Sequence, residues 1–155
     1  MRLILLAVTH LIALAIGFAS GIYALPILTA PASPDAMVLE SMAKEASFNA
    51  DFTRDLKGSD FLHWGEGRVS ITAKQIVHQG ELSPGPDYKL YLTKSFVEDE
   101  AGFEAIKADS VNVGDIKTFN GFLVDLPEGV DPAEYNTVLV WCETFGEFIT
   151  AAKYR

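Results

Sequence analysis

Only one cysteine, Cys142, occurs in the 155 residues, so no intramolecular disulfide can form. Histidine is nearly as scarce, with His10, His63 and His78 the full set. A four-ligand zinc site would therefore need Cys142, both later histidines and an added carboxylate, and no CxxC or HExxH spacing supports one. CxxCH is absent too, which removes covalent c-type haem attachment. Neither a GxSxG elbow, a phosphate-binding Walker loop nor a dinucleotide fingerprint is present, so a hydrolase has no motif behind it. Positive charge is also short. From Asp35 onward 21 acidic side chains face 11 basic ones, a surface that repels phosphate backbones and excludes nucleic acid as a natural partner. A solvated acidic face accounts for most of that charge, and a basic redox partner protein is the sharper use of it.

Asp, Glu, Lys and Arg are all missing from residues 3 to 34, and Leu3 to Leu28 is almost wholly apolar. About 20 such residues cross the hydrocarbon layer as a helix, so residues 3–28 are expected to form a membrane anchor within a 1–30 segment. A cleaved signal peptide is the rival. It wants an apolar stretch of about 7 to 15 residues and a small-x-small cleavage site. Arg2 supplies its basic start, but the run is too long, Ser20 has Phe18 two positions before it, and Ala30 is followed by Pro31. Arg2 and the amino terminus are the only positive charges on the short side, which predicts a single pass with a cytoplasmic amino end and a periplasmic or extracellular domain. His10, among Thr9 and small residues, reads as a tolerated neutral imidazole within the span.

Residues 31–47 form a Pro-rich junction and a short helix. Ser33 is expected as N-cap with Pro34 at the first helical position, and Leu39, Met42, Ala43 and Ala46 share one face of a helix over about 35 to 46, serving as stalk or lid. Residues 48–155 change to short alternating runs punctuated by Gly, Pro and Asp, predicting an all-β, sandwich-like or small-barrel domain of about seven short strands. The predicted strands are Arg68–Ala73, Gln75–Gly80, Tyr88–Thr93, Ser110–Lys117, Gly121–Leu126, Thr137–Glu143 and Phe148–Tyr154. Both faces of Val138–Cys142 are apolar, so that strand should be covered on both sides. Phe96–Lys107 breaks the rhythm and reads as an acidic surface loop or one helical turn. Asp60, Asp87 and Asp125 each fall at turns, where an aspartate commonly bonds its own backbone.

Cys142 is the residue with chemistry to offer: a thiolate can be a nucleophile, a prosthetic-group ligand or a redox group. Packed among core formers it can equally be a small apolar residue, and Glu143, if close, would raise its pKa. An unpaired exported thiol could also bridge two copies. His63 and His78 are weak ligand candidates, and Trp64 and Trp141 read as packing rather than a cofactor stack.

Four stretches together resemble the DM13 domain: His63-Trp64-Gly65-Glu66-Gly67, Gly85-Pro86-Asp87-Tyr88-Lys89-Leu90-Tyr91-Leu92, Gly114-Asp115-Ile116-Lys117 and Tyr135 to Phe145. The chain departs from that family's pattern over Gly121–Pro127, where a glutamine-x-tyrosine-like approach to the proline is common. The resemblance implies an exported, often membrane-tethered β domain with a role in electron transfer, which fits an electron-transfer component better than an enzyme in its own right. It implies that Cys142 acts as a naked redox thiol or holds a prosthetic group such as haem, with Trp141, Gly85, Pro86 and Asp87 in supporting positions. The alternative is a non-enzymatic envelope module that binds a partner while Cys142 merely packs.

Overall fold

The computed structural model describes residues 1–155. Helix α1 covers Arg2–Thr29, has no buried residue, and is long and apolar enough to cross a membrane. Within it His10 Nδ1 lies 2.7 Å from the Leu6 carbonyl, so its polar atom is satisfied by the helix's own backbone. Helix α2 spans Ala36–Ala43. Its N-cap is Asp35 rather than Ser33, because the Asp35 carboxylate accepts the Met37 N–H at 2.8 Å and leaves Pro34 outside the helix. Leu39 is the buried residue of this helix, which packs on strand β3 and so covers a sheet instead of extending as a stalk.

Eight antiparallel strands follow: β1 Phe48–Phe52, β2 Gly65–Ile71, β3 Gln75–Leu82, β4 Tyr88–Thr93, β5 Val111–Ile116, β6 Phe122–Asp125, β7 Thr137–Cys142 and β8 Glu147–Lys153. They form two four-stranded sheets, β1-β2-β3-β6 and β5-β4-β7-β8, which makes the fold sandwich-like. The seven predicted strands are all present, Tyr88–Thr93 with the same bounds and the other six with shifted ends, and β1 is the addition. Its Phe48, Ala50 and Phe52 alternate with exposed Asn49 and Asp51, as an edge strand with one wet face requires.

Between the sheets lies a core of 19 buried residues that includes Val69, Ile71, Leu90, Val138, Val140 and Cys142. A second cluster of six sits on the outer face of the β5-β4-β7-β8 sheet, made by Tyr91, Phe103, Leu139, Trp141, Phe148 and Ala151. Every residue of β7 is buried, as its two apolar faces predict. The cover on its outer side is helix α3, Glu100–Ile106. That segment, expected as a surface loop or single turn, sinks Phe103 completely between Tyr91 and Trp141, with ring centroids 5.0 and 4.9 Å away. Asp99 caps it through the Gly102 N–H at 2.8 Å, and Glu100 near the N-terminus complements the helix dipole.

Candidate functional site

Cys142 ends β7 opposite Tyr88 of β4 and Glu147 of β8. Strand alternation sends Trp141 to the outer cluster and Cys142 to the inter-sheet core, where it is 3 % exposed. Two tight turns frame the sulfur. The turn after β7 closes when the Gly146 N–H donates to the Cys142 carbonyl at 2.9 Å, and Gly146 takes the left-handed φ of 67° that this geometry needs. The second turn is Ser83–Asp87. A Cβ on Gly85 would stand 2.3 Å from the Tyr88 ring, so only glycine lets that ring fold back over the turn. The Tyr88 hydroxyl then meets Ser83 Oγ at 3.4 Å, and the same Oγ accepts the Trp64 N–H at 3.1 Å.

Asp87 ties the two turns together. Its carbonyl accepts the Glu143 N–H at 3.0 Å, and its carboxylate accepts the Thr144 hydroxyl at 3.0 Å while pairing with Lys89 at 3.0 Å. Its side chain therefore serves a distant turn instead of its own backbone. Asp125 likewise accepts from Gln75 across the sheet, at 2.7 Å, while Asp60 does bond its own turn through the Leu62 and His63 N–H groups.

Burial pushes the Cys142 thiol pKa up, and the Asp87 carboxylate adds to that. The backbone N–H groups of Phe145, Asp87 and Thr144 act in the opposite direction without overcoming burial. At neutral pH the group is therefore a protonated thiol. Glu143, the neighbour in sequence, faces away and is bonded to Lys107 at 2.6 Å and to the Tyr91 hydroxyl. Burial works against its charge, yet those bonds hold its pKa below the usual carboxylate value.

Beside Cys142 opens a cleft of about 410 Å³, within the range of small-molecule sites. Leu62, Pro84, Pro86, Phe145 and Ile149 give it apolar walls, and Ala19, Ile22 and Tyr23 of α1 form one side. His63 reaches the same cleft from the loop before β2, with Nδ1 3.1 Å from Asp60 Oδ2. Cys142, His63, Gly85 and Pro86 thus share one site, with Asp87 bracing it. Trp141 lies behind the sheet, its indole N–H buried without a partner. His78 lies outside the cleft lining, packed between the tilted rings of Phe52 and Phe122 with Nε2 3.0 Å from the Glu66 carbonyl. Trp64 is held under the Arg54 guanidinium at 3.3 Å, so packing occupies that ring as well.

The family model described as "Electron transfer DM13" matches residues 51–154, two-thirds of the chain. The chain belongs to the DM13 family. No curated protein and no solved structure matches it.

The two most distinctive DM13 stretches of this sequence, Gly85-Pro86-Asp87 and Trp141-Cys142, are a turn and the end of β7, which Asp87 and Tyr88 bring together at one cysteine. Haem suits this DM13 site poorly. Its propionates call for Lys or Arg, and the cleft lining offers only the Glu147 carboxylate and the His63 ring as ionisable polar groups beside the thiol and two phenols. No three of His, Cys, Asp and Glu converge anywhere in the domain to hold a metal ion. Sequence reasoning missed Ala19, Ile22, Tyr23, Phe145 and Glu147 as lining residues, because nothing in their local pattern signals a contact between α1 and a turn 120 residues later.

Proposed function

We propose that this protein is a membrane-anchored, extracytoplasmic electron-transfer module whose redox group is the naked thiol of Cys142. One observation carries the reading: the only cysteine, although buried, is among the residues that line an apolar cleft. At 3 % exposure the sulfur is out of reach of a partner's surface, so electrons pass through a small carrier seated in the cleft. For the same reason it is poorly placed to bridge two copies.

Because burial keeps the thiol protonated, its oxidation releases a proton together with the electron. His63 is the only basic side chain in the lining and is the acceptor we assign, with Asp60 fixing its ring through Nδ1 and leaving Nε2 for the cleft. The acidic exterior suits a positively charged partner that delivers or collects the carrier, an attraction that salt weakens.

The test compares the wild type with Cys142→Ser by protein-film voltammetry and by circular dichroism. The expected result is loss of the redox wave with an unchanged fold. A wave that persists in the variant overturns the assignment. Absence of a wave in both, together with a stability loss of about 1 to 3 kcal/mol in the variant, assigns Cys142 to packing alone.

A further inference from the structure

The cleft above Cys142 has a membrane helix for one wall, and the length of that helix sets its depth. Twenty-eight residues of α1 extend about 42 Å, whereas the hydrocarbon layer is about 30 Å thick and takes about 20 of them. With Arg2 held at one surface, the opposite surface falls near residue 22. Ala19, Ile22 and Tyr23, the three α1 residues that line the cleft, straddle that level, and tyrosine is a residue of membrane interfaces. The helix then continues along the domain, where Pro26, Thr29 and Ala30 share a smaller hollow with Gly85 and Pro86.

The rim of the cleft is apolar on the domain side as well. Phe145, 51 % exposed, and Leu62, 39 % exposed, line the cleft beside α1, and Phe61, 85 % exposed, is the residue before Leu62 in the chain. Large apolar side chains clustered at one mouth, continuous with a membrane helix, are expensive in water and suited to the headgroup boundary. The lining carries no Lys or Arg, so anionic lipid headgroups and nucleotides find no counter-charge there.

We infer that the Cys142 cleft opens at the bilayer surface and receives the ring of a neutral, membrane-borne carrier of the quinone class. The Tyr23 hydroxyl can donate to one carbonyl oxygen, His63 can donate to another once Nε2 holds the proton released by the thiol, and the apolar walls take the ring face. This inference rests on the anchor and on the cleft, and it deepens the redox reading by naming the class of carrier.

Cys142 is the sole cysteine, so alkylation of the full chain reports on one atom. The chain is reconstituted in phosphatidylcholine vesicles, with flotation verifying the anchor independently. It is then exposed on both faces to a neutral lipid-soluble maleimide or to a sulfonated one, each rate being divided by that reagent's rate with a free thiol. The neutral reagent is expected to react at least about tenfold faster, since a fixed charge resists transfer to an apolar site. A fully ring-substituted decyl-benzoquinone, which has no open carbon for a thiol to add to, is expected to slow that reaction. Phe145→Asp, at an exposed rim position, is expected to narrow the ratio. Equal rates for the two reagents, or no reaction with either, would overturn the membrane portal. A fast lipid route without protection by the quinone would overturn the carrier class. Neither result bears on the voltammetry of Cys142→Ser, so the redox reading stands or falls separately.

Discussion

Lowering the pH from 7.5 to 5.0 should destabilise this domain through one side chain, His78. It is fully buried on β3 between Phe52 and Phe122, and burial depresses its pKa to about 4 against an ordinary 6.5. The Nε2–H donates to the Glu66 carbonyl at 3.0 Å, while Nδ1 is buried without a partner. Protonation would put a charged donor at Nδ1 with nothing to receive it. The folded pKa lies below the unfolded one, so the unfolded state binds the proton more tightly. The stability His78 confers is therefore whole above about pH 6.5 and drains away as the pH falls toward 4. The full effect is about 3 kcal/mol, of which about 2 kcal/mol is lost by pH 5.0. Thermal unfolding of the chain in a neutral detergent measures it, with an expected fall in Tm of roughly 10 °C between the two pH values. His78→Gln keeps an N–H for the Glu66 carbonyl but cannot titrate, and it should abolish most of that fall. His63 and the carboxylates are common to both proteins and cancel in the comparison. An equal pH response in wild type and variant would refute the reasoning.

Gly85→Ala should drive the new methyl into the Tyr88 ring, which lies 2.3 Å from that position, costing about 1 to 3 kcal/mol in chemical denaturation. Because Tyr88 lines the cleft, the same variant should alter the maleimide rate at Cys142, and an unchanged rate would show that the Ser83–Asp87 turn does not shape access to the sulfur. Phe103→Ala should empty the outer cluster beneath α3 and cost about 3 to 5 kcal/mol by denaturant titration, and a loss under about 1 kcal/mol would mean that α3 is no real cover for β7.

The all-β class and seven of the eight strands were legible in local alternation of apolar and polar residues, and the double burial of β7 in the loss of that alternation over Val138–Cys142. β1 escaped because Asn49 and Asp51 are poor strand formers whose place is fixed by pairing with Arg68 and Ser70, not by propensity. Phe103 was misplaced in an acidic loop because Glu100 and Glu104 dominate the composition, although its three-residue spacing from Ile106 is the helical signal. Cys142 stood out in sequence, as did the Gly85-Pro86-Asp87 turn. Their union did not, since the Asp87 contact with Thr144 joins residues 57 positions apart and depends on β4 having paired with β7. The part played by Asp87 at the thiol, rather than Glu143, follows from the same pairing, because adjacent residues of a strand point to opposite faces.

The lacing of the two turns also dates the sulfur's shelter in the life of the chain. No local segment can make it: the loop between Asp87 and Glu143 must close first, which is the kind of long-range event that sets the pace of β folding. Before that closure Cys142 is an open thiol at the end of a strand whose only local partner is β8. After it, the sulfur meets only what fits the cleft, so completion of the fold is itself the selectivity filter that decides which oxidants the protein ever encounters.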